Sequence, residues 1–442
     1  MINGGSLKND LKLNCEIKLD FMMFVFSVLV ILIALGRINN IYIEHDDWDF
    51  MLRPEFSQYA TPWSKTLSEG RWITFMWSKI AINLSPSVLY VIFMSGYSLL
   101  CWRISLAISS GGIERYIVAL SLFACPLYSA FSSWPATTTP SVWVCLVSLS
   151  CLYRYSNSYI AYFIVATVMS LVYPPLGLVC LIFAGWSGGS ISTIFKCLSY
   201  FSGFIFGVLC IYILNYAFHG HFGIIPEGWR NYHQIASVAD LVFNIKKAYG
   251  ILIFFVDVYW LSLSLSIASI VYGALNKNRH TISLLLIGLF CFGLDAALTT
   301  YTGMDVSDRN FIWPWFYMVA CVGLLVFNSN SKEARHCAFS RIAGLIILSV
   351  VFFYGMNTWR VQADYYNRVA KYVDMVGVQM DQAKDGFVLT CGEPKFIHGI
   401  NIKMAVKKLH GIDVGIGSNN ECSKAASTGL NIVDGKAIYT YP

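Results

Sequence analysis

The sequence predicts an all-α polytopic membrane protein of about eleven transmembrane helices, closed by a small C-terminal α/β domain. Three observations lead there. Hydrophobic residues make up 56% of the 442 and charged residues only 13%, whereas soluble domains carry about 25% charge. Apolar runs near the roughly 20 residues that cross a bilayer recur along most of the chain. After residue 358 the composition turns polar, with short apolar runs punctuated by glycine.

The elements follow in order. Residues 1 to about 19 are polar and mixed in charge, and a first span covers about 20–36. Its apolar run exceeds the 7–15 residues of a signal-peptide core, so it reads as an uncleaved anchor. Later spans fall near 86–108, 116–132, 139–153, 159–173, 175–187, 197–218, 251–273, 281–303, 311–327 and 341–358. The stretch 159–187 is broken by Tyr173-Pro174-Pro175. Counted as two crossings, it puts Arg115, Arg154, Lys196, Lys277, Arg279, Lys332, Arg335 and Arg341 on one side. That is the positive-inside pattern, and it places the N-terminus in the cytoplasm and the C-terminus outside. Two short segments cannot each span fully, so protein or a water-filled cavity should shield the broken backbone. The net charge of +6 then reads as cytoplasmic-side anchors, not nucleic-acid affinity.

Three polar regions lie outside: 37–85, 219–250 and 359–442. The division is therefore a membrane domain over 1–358, with a large first outer loop at 37–85 as the candidate catalytic segment for the acidic run it carries, and an outer domain over 359–442. The latter opens with a helical pattern from Val361 to Met380. Strand-like runs follow at Phe387-Val388-Leu389-Thr390 and Ala437-Ile438-Tyr439-Thr440. Cys391 and Cys422 are the only cysteines in this tail. On an oxidising side they are expected to form a disulfide, with two free thiols as the alternative. Cys125, Cys145, Cys180, Cys210, Cys291 and Cys321 fall in apolar spans and read as small hydrophobes.

The densest chemistry lies in Glu44-His45-Asp46-Asp47-Trp48-Asp49, four carboxylates in six residues. Repulsion and partial desolvation should raise at least one pKa, which makes a better general base near neutral pH. The same group can instead hold Mg²⁺ or Mn²⁺. Adjacent side chains point apart in helix or strand, so Asp46 and Asp47 divide naturally into one base and one positioning residue. A phosphate leaving group suits that division, because it departs without protonation. The plain alternative is a solvated acidic loop that caps the next helix.

With Gly70-Arg71-Trp72 before the second span, this acidic run resembles the polytopic O-antigen glucosyltransferases of serotype-converting phages and bacteria, in the GT-C superfamily. Architecture carries the resemblance over most of the chain, and the two motifs carry the rest. The resemblance implies a donor of undecaprenyl-phosphate-glucose, presented on the periplasmic side of the bacterial inner membrane. A lipid-phosphate glucose synthase and a flippase would supply it. It further implies an O-antigen sugar hydroxyl as acceptor, an inverting reaction, and Asp46 or Asp47 as general base, with Glu44 and Asp49 in support.

A lipid-phosphate donor also needs a cation at the outer face. Arg309, in the short loop Met304-Asp305-Val306-Ser307-Asp308-Arg309-Asn310, is the first choice. Arg71 and Arg230 are second choices, and a local ion pair with Asp305 or Asp308 is the alternative for Arg309. Trp72 and Trp134 read as interfacial anchors, whereas Trp63 and Trp229 stay open between anchoring and sugar stacking. His219, His221 and His233 match no metal spacing. Asp257 and Asp295 fall inside spans, where the reading is an interhelical hydrogen bond or closeness to the boundary. An O-antigen polymerase or ligase would depend on arginines in large outer loops, and a transporter or flippase would show inverted repeats. The acidic first loop and the 84-residue tail favour a transferase.

Overall fold

The computed structural model describes residues 4–38, 41–52, 61–109, 111–185, 189–304, 310–327, 334–383, 386–394, 399–425, 427–433 and 436–441. Most of these residues are helical. The chain opens with α1 (Gly4–Ala34), and three short helices follow: α2 (His45–Met51), α3 (Ser64–Glu69) and α4 (Trp72–Ala81). The bundle continues with α5 (Pro86–Ile108), α6 (Gly112–Phe123), α7 (Pro126–Phe131), α8 (Pro135–Arg154), α9 (Tyr159–Ser170), α10 (Pro174–Gly185) and α11 (Ser190–His219). It closes with α12 (Val238–Leu275), α13 (Thr281–Thr302), α14 (Trp313–Cys321, extended by a π turn to Phe327) and α15 (Ala334–Met380).

Among the described residues, seven helices are long and apolar enough to cross a membrane: α1, α5, α8, α11, α12, α13 and α15. The other predicted spans are shorter. The 159–187 stretch is α9 and α10, the 311–327 span is α14 with its π turn, and 116–132 breaks into α6 and α7. The local signals explain the boundaries. Ser85, Ser158 and Ser237 cap α5, α9 and α12 by accepting backbone N–H bonds two or three residues into the helix. Gly220 (φ +70°) and Gly303 (φ +59°) end α11 and α13 in the left-handed conformation.

Both breaks are sealed by protein, as apolar surroundings require. At the α6–α7 break, Trp359 Nε1 donates to the Cys125 carbonyl at 2.9 Å, and Tyr97 Oη reaches the Leu122 carbonyl at 2.8 Å. At the α9–α10 break, the Leu171 carbonyl accepts the Ile73 N–H at 3.3 Å, and Val172 and Tyr173 are buried. Helices α9 and α11 meet along a glycine seam. A Cβ at Gly203 would lie 2.1 Å from the Phe163 carbonyl oxygen, and Thr167 Oγ1 donates to the Gly203 carbonyl at 3.0 Å. Small residues at such spacing let two backbones approach where no hydrophobic force drives them together.

Ion pairs fasten the end of the bundle opposite α2–α4. Arg115 pairs with Asp20 at 2.9 Å, and Arg341 with Glu114 at 3.6 Å. Inside the bundle, Asp295 accepts from Trp313 Nε1 at 2.7 Å, the interhelical bond between α13 and α14 that the sequence suggested. Asp257 is exposed on the surface of α12.

Helix α15 passes residues 358 and 359 without a break. Beyond it come β1 (Phe387–Cys391), α16 (Gly399–His410), β2 (Asp413–Ile416), α17 (Asn419–Cys422), β3 (Gly429–Val433) and β4 (Lys436–Thr440). The four strands form one sheet in the order β2-β1-β4-β3. β1 runs parallel to both β2 and β4, and β3 runs antiparallel to β4. Cys391 and Cys422 are joined as a disulfide. The core of this unit is not its own. Val388, Ile402, Ala405, Val414 and Tyr439 share one buried cluster with Tyr42, Ile43, Trp48, Phe50 and Met51, so the tail packs directly onto α2.

Candidate functional site

The acidic run folds as α2, with Asp46 and Asp47 in its first turn, where carboxylates favour the positive end of a helix. As adjacent residues, they point to different surroundings. Asp47 is completely buried. Its carboxylate accepts the backbone N–H of Ala136, and that of Thr137 at 3.0 Å. These are orphan donors in the first turn of α8, where Pro135 has no N–H to offer. Asp47 therefore caps α8 from across the fold. Burial pushes its carboxyl up to about 7, while the Thr137 and Ala136 hydrogen bonds and Lys65 pull the other way. Of the two causes the sequence offers, repulsion and desolvation, it is desolvation that raises it.

Removing that cap should cost stability, not chemistry. Asp47→Ala leaves two buried N–H groups without their acceptor, at about 1–3 kcal/mol for each unsatisfied group. A clear drop in the thermal unfolding midpoint of the detergent-solubilised protein is expected, whereas Asp46→Ala should leave it near wild type. An unchanged midpoint in Asp47→Ala would remove the capping role.

Asp46 instead lines a small cavity with Lys65, Arg71, Phe131, Trp134, Thr137, Thr138 and Tyr173. Lys65 Nζ sits 3.0 Å from its Oδ2, and the two side chains are 8% and 20% exposed. Lys65 and Glu69 stand one turn apart on α3, so both face the same way. Gly70 (φ +71°) then reverses the chain, and a Cβ there would come within 2.8 Å of Ile211 Cδ1. The turn brings Arg71 back onto Glu69, Nε to Oε2 at 2.6 Å, while Arg230 Nη2 from the second polar region reaches Oε1 at 2.7 Å. Arg71 also lies over the Tyr173 ring at 5.2 Å, and Tyr173 Oη donates to Asn310 Oδ1 at 2.6 Å.

Three cations thus surround two carboxylates beside an aromatic wall. Burial alone would raise the Glu69 pKa. Arg71, Lys65 and Arg230 overcome it and hold the carboxyl down to about 2. Glu69 is ionised at any working pH, and it fixes two guanidinium groups from separate segments in one place. Such a set can hold a phosphate while a neighbouring carboxylate takes a proton.

The structure thus brings Asp46, Arg71 and Arg230 together around Lys65 and Glu69. Arg309, Asp305 and Asp308 lie outside the described residues, as does the side chain of Asp49. Glu44 does not line the cavity and stands beside Tyr42. Among the described side chains of the acidic run, Asp47 is taken by α8 and Asp46 by Lys65. Among the described residues, no three His, Cys, Asp or Glu side chains gather as ligands. His219 bonds Thr66 at 2.7 Å and His233 bonds Asp240 at 2.9 Å.

Two tryptophan expectations need correction. Trp72 is no interfacial anchor: it is buried, and its Nε1 donates to Asn215 Oδ1 at 3.0 Å. Trp134 faces the cavity. Trp63 is 40% exposed and packs at a tilt against His219, ring centroids 4.3 Å apart, and the side chain of Trp229 lies outside the described residues. Lys65, Glu69 and Tyr173 were missed as site residues. The spacing of Lys65 and Glu69 was readable, and so was the adjacency of Glu69 to Gly70-Arg71, but neither says that Arg230 completes the group.

Comparison of the chain with protein-family models, curated proteins and solved structures finds no match.

Proposed function

We propose that this chain is an integral-membrane glycosyltransferase of the GT-C kind. It moves glucose from undecaprenyl-phosphate-glucose to an O-antigen sugar hydroxyl. In this reading the chain crosses a bacterial inner membrane eleven times, with α2–α4 and the C-terminal sheet on the periplasmic side. The observation that carries it is the cavity lined by Asp46, Lys65 and Arg71 and walled by Tyr173, Phe131 and Trp134. The half-buried Asp295 is hydrogen-bonded to Trp313 and gives a carrier reading little to work with.

The chemistry is a single displacement. Asp46 accepts the proton of the acceptor hydroxyl as its oxygen attacks C1 of the donor sugar. The bond from C1 to the phosphate oxygen breaks, and the electron pair leaves with the lipid phosphate, so the configuration at C1 inverts. Arg71 and Lys65 receive the charge that develops on the departing phosphate. In the structure Lys65 is paired with Asp46, and a donor phosphate competing for Lys65 would release the carboxylate to act as base. Asp47 keeps α8 in register, and Glu69 keeps Arg71 aimed.

The test is transfer itself. The chain reconstituted in vesicles with labelled undecaprenyl-phosphate-glucose and an O-antigen acceptor is expected to produce labelled glycan. Arg71→Ala is expected to raise the donor KM about tenfold or more, the scale of one lost charge-assisted contact at about 1.5–3 kcal/mol. Absence of transfer from any undecaprenyl-phosphate sugar by the wild-type chain would overturn the reading.

A further inference from the structure

We infer that the C-terminal unit is a working part of the site, and that Lys408 is a positioning residue holding the helix that bears Asp46 and Asp47. The kinetic part of this inference rests on the transferase reading; the structural part does not.

Helix α2 has seven residues, too few to be stable by itself. It is held from two sides. Asp47 fixes its first turn to α8. Its apolar residues Trp48, Phe50 and Met51 are buried in the cluster shared with Ile402 and Ala405 of α16. From α16, Lys408 Nζ donates to the Met51 carbonyl at 2.8 Å and to the Ile82 carbonyl at 2.9 Å. Met51 is the last residue of α2, and Ile82 is the C-terminal cap of α4.

Carbonyls at helix ends have no partner within their own helix and carry the negative end of its dipole. One half-buried ammonium thus joins the far ends of α2 and α4. The near end of α2 carries Asp46, and α4 starts immediately after Arg71. The spacing between the base and the phosphate cation is therefore set from the tail, more than 300 residues downstream of α2. The hydrogen bonds of Lys408 assign the tail the alignment of the site.

The experiment uses the full chain in membranes. Lys408→Met keeps the apolar stem and removes the charge, while Lys408→Arg keeps donors within reach of both carbonyls. Misplacement by about 1 Å costs on the order of a hundredfold in rate. On that scale Lys408→Met is expected to lower kcat about 10- to 100-fold per folded chain, with both KM values within about twofold and with Lys408→Arg recovering most of the loss. Lys407→Met, which removes the neighbouring pair with Asp413, serves as the control and should behave as wild type.

A second readout needs no sugar transfer. In an Asp46→Cys chain, the rate of alkylation by a membrane-impermeant maleimide reports the placement of α2. It is measured above the background of the unsubstituted chain. Adding Lys408→Met is expected to change that rate several-fold. If Lys408→Met fails to accumulate, Lys408→Gln gives the same comparison. A purely structural lysine would reduce the amount of folded chain and leave turnover per folded chain unchanged. The inference is overturned if alkylation and turnover per folded chain both stay at wild-type values. If alkylation shifts while no chain transfers sugar, the wild type included, the positioning role stands and the transferase reading falls.

Discussion

Asp46→Asn is expected to reduce sugar transfer about 10²- to 10⁴-fold, the range a positioned general base contributes, without reducing the amount of chain in the membrane. The substitution keeps size and hydrogen bonding but removes the group that takes the acceptor proton. Because Asp46 is partly exposed and pairs with the side chain of Lys65, less of the fold depends on it than on the buried Asp47. The donor KM should hold or fall, since Lys65 loses its competing carboxylate. Asp47→Asn should show the opposite division: a lower unfolding midpoint, and kcat per folded chain well above that of Asp46→Asn. Measuring both constants beside both midpoints separates the two aspartates. Full activity in Asp46→Asn would move the chemistry away from this cavity.

Glu69→Ala is expected to give the largest loss of stability. Removing one member of a buried ion group costs about 3–5 kcal/mol, because the remaining charges stay buried without their partner. Here the partners are two arginines, and all three side chains are at most 15% exposed. The unfolding midpoint should fall sharply, and the donor KM should rise as Arg71 and Arg230 lose their common anchor. The pH dependence has a definite sign. The folded pKa of Glu69 is depressed to about 2, against about 4.3 for an unperturbed glutamate. Its contribution is therefore complete above about pH 4.3 and is lost as pH falls toward 2. The wild-type midpoint should drop across that window, and the Glu69→Ala midpoint should drop less there. Parallel curves for the two chains would show that Glu69 does not hold the arginines in solution.

Much of the bundle was legible because its signals are local. The cap and proline of Ser85-Pro86 set the start of α5 at the residue the hydropathy indicated, and Gly303 ends α13 within one residue of its predicted span. The short segments were harder. Residues 116–132 read as one apolar run, yet the chain breaks before Pro126 because Trp359 and Tyr97, distant in sequence, accommodate the freed carbonyls. The site divides in the same way. The acidic run stood out by composition, and the divergence of neighbouring side chains followed from backbone geometry. Which aspartate faces the cavity did not, because that depends on α8 arriving with two unpaired N–H groups about 90 residues later. Trp72 looked like an interfacial residue until Asn215 of α11 supplied its acceptor.

The shared core also has a consequence for how the chain matures. Residues 42–51 leave the ribosome hundreds of residues before their packing partners at 402–439. Segments of a growing chain fold in the order they are made, so this helix can meet α4 and α8 long before α16 arrives to cover its apolar face. A nascent chain can build most of its helical bundle and still hold an unfinished centre. A chain cut short before α16 is therefore expected to leave the apolar face of α2 uncovered, however well the rest of it had assembled.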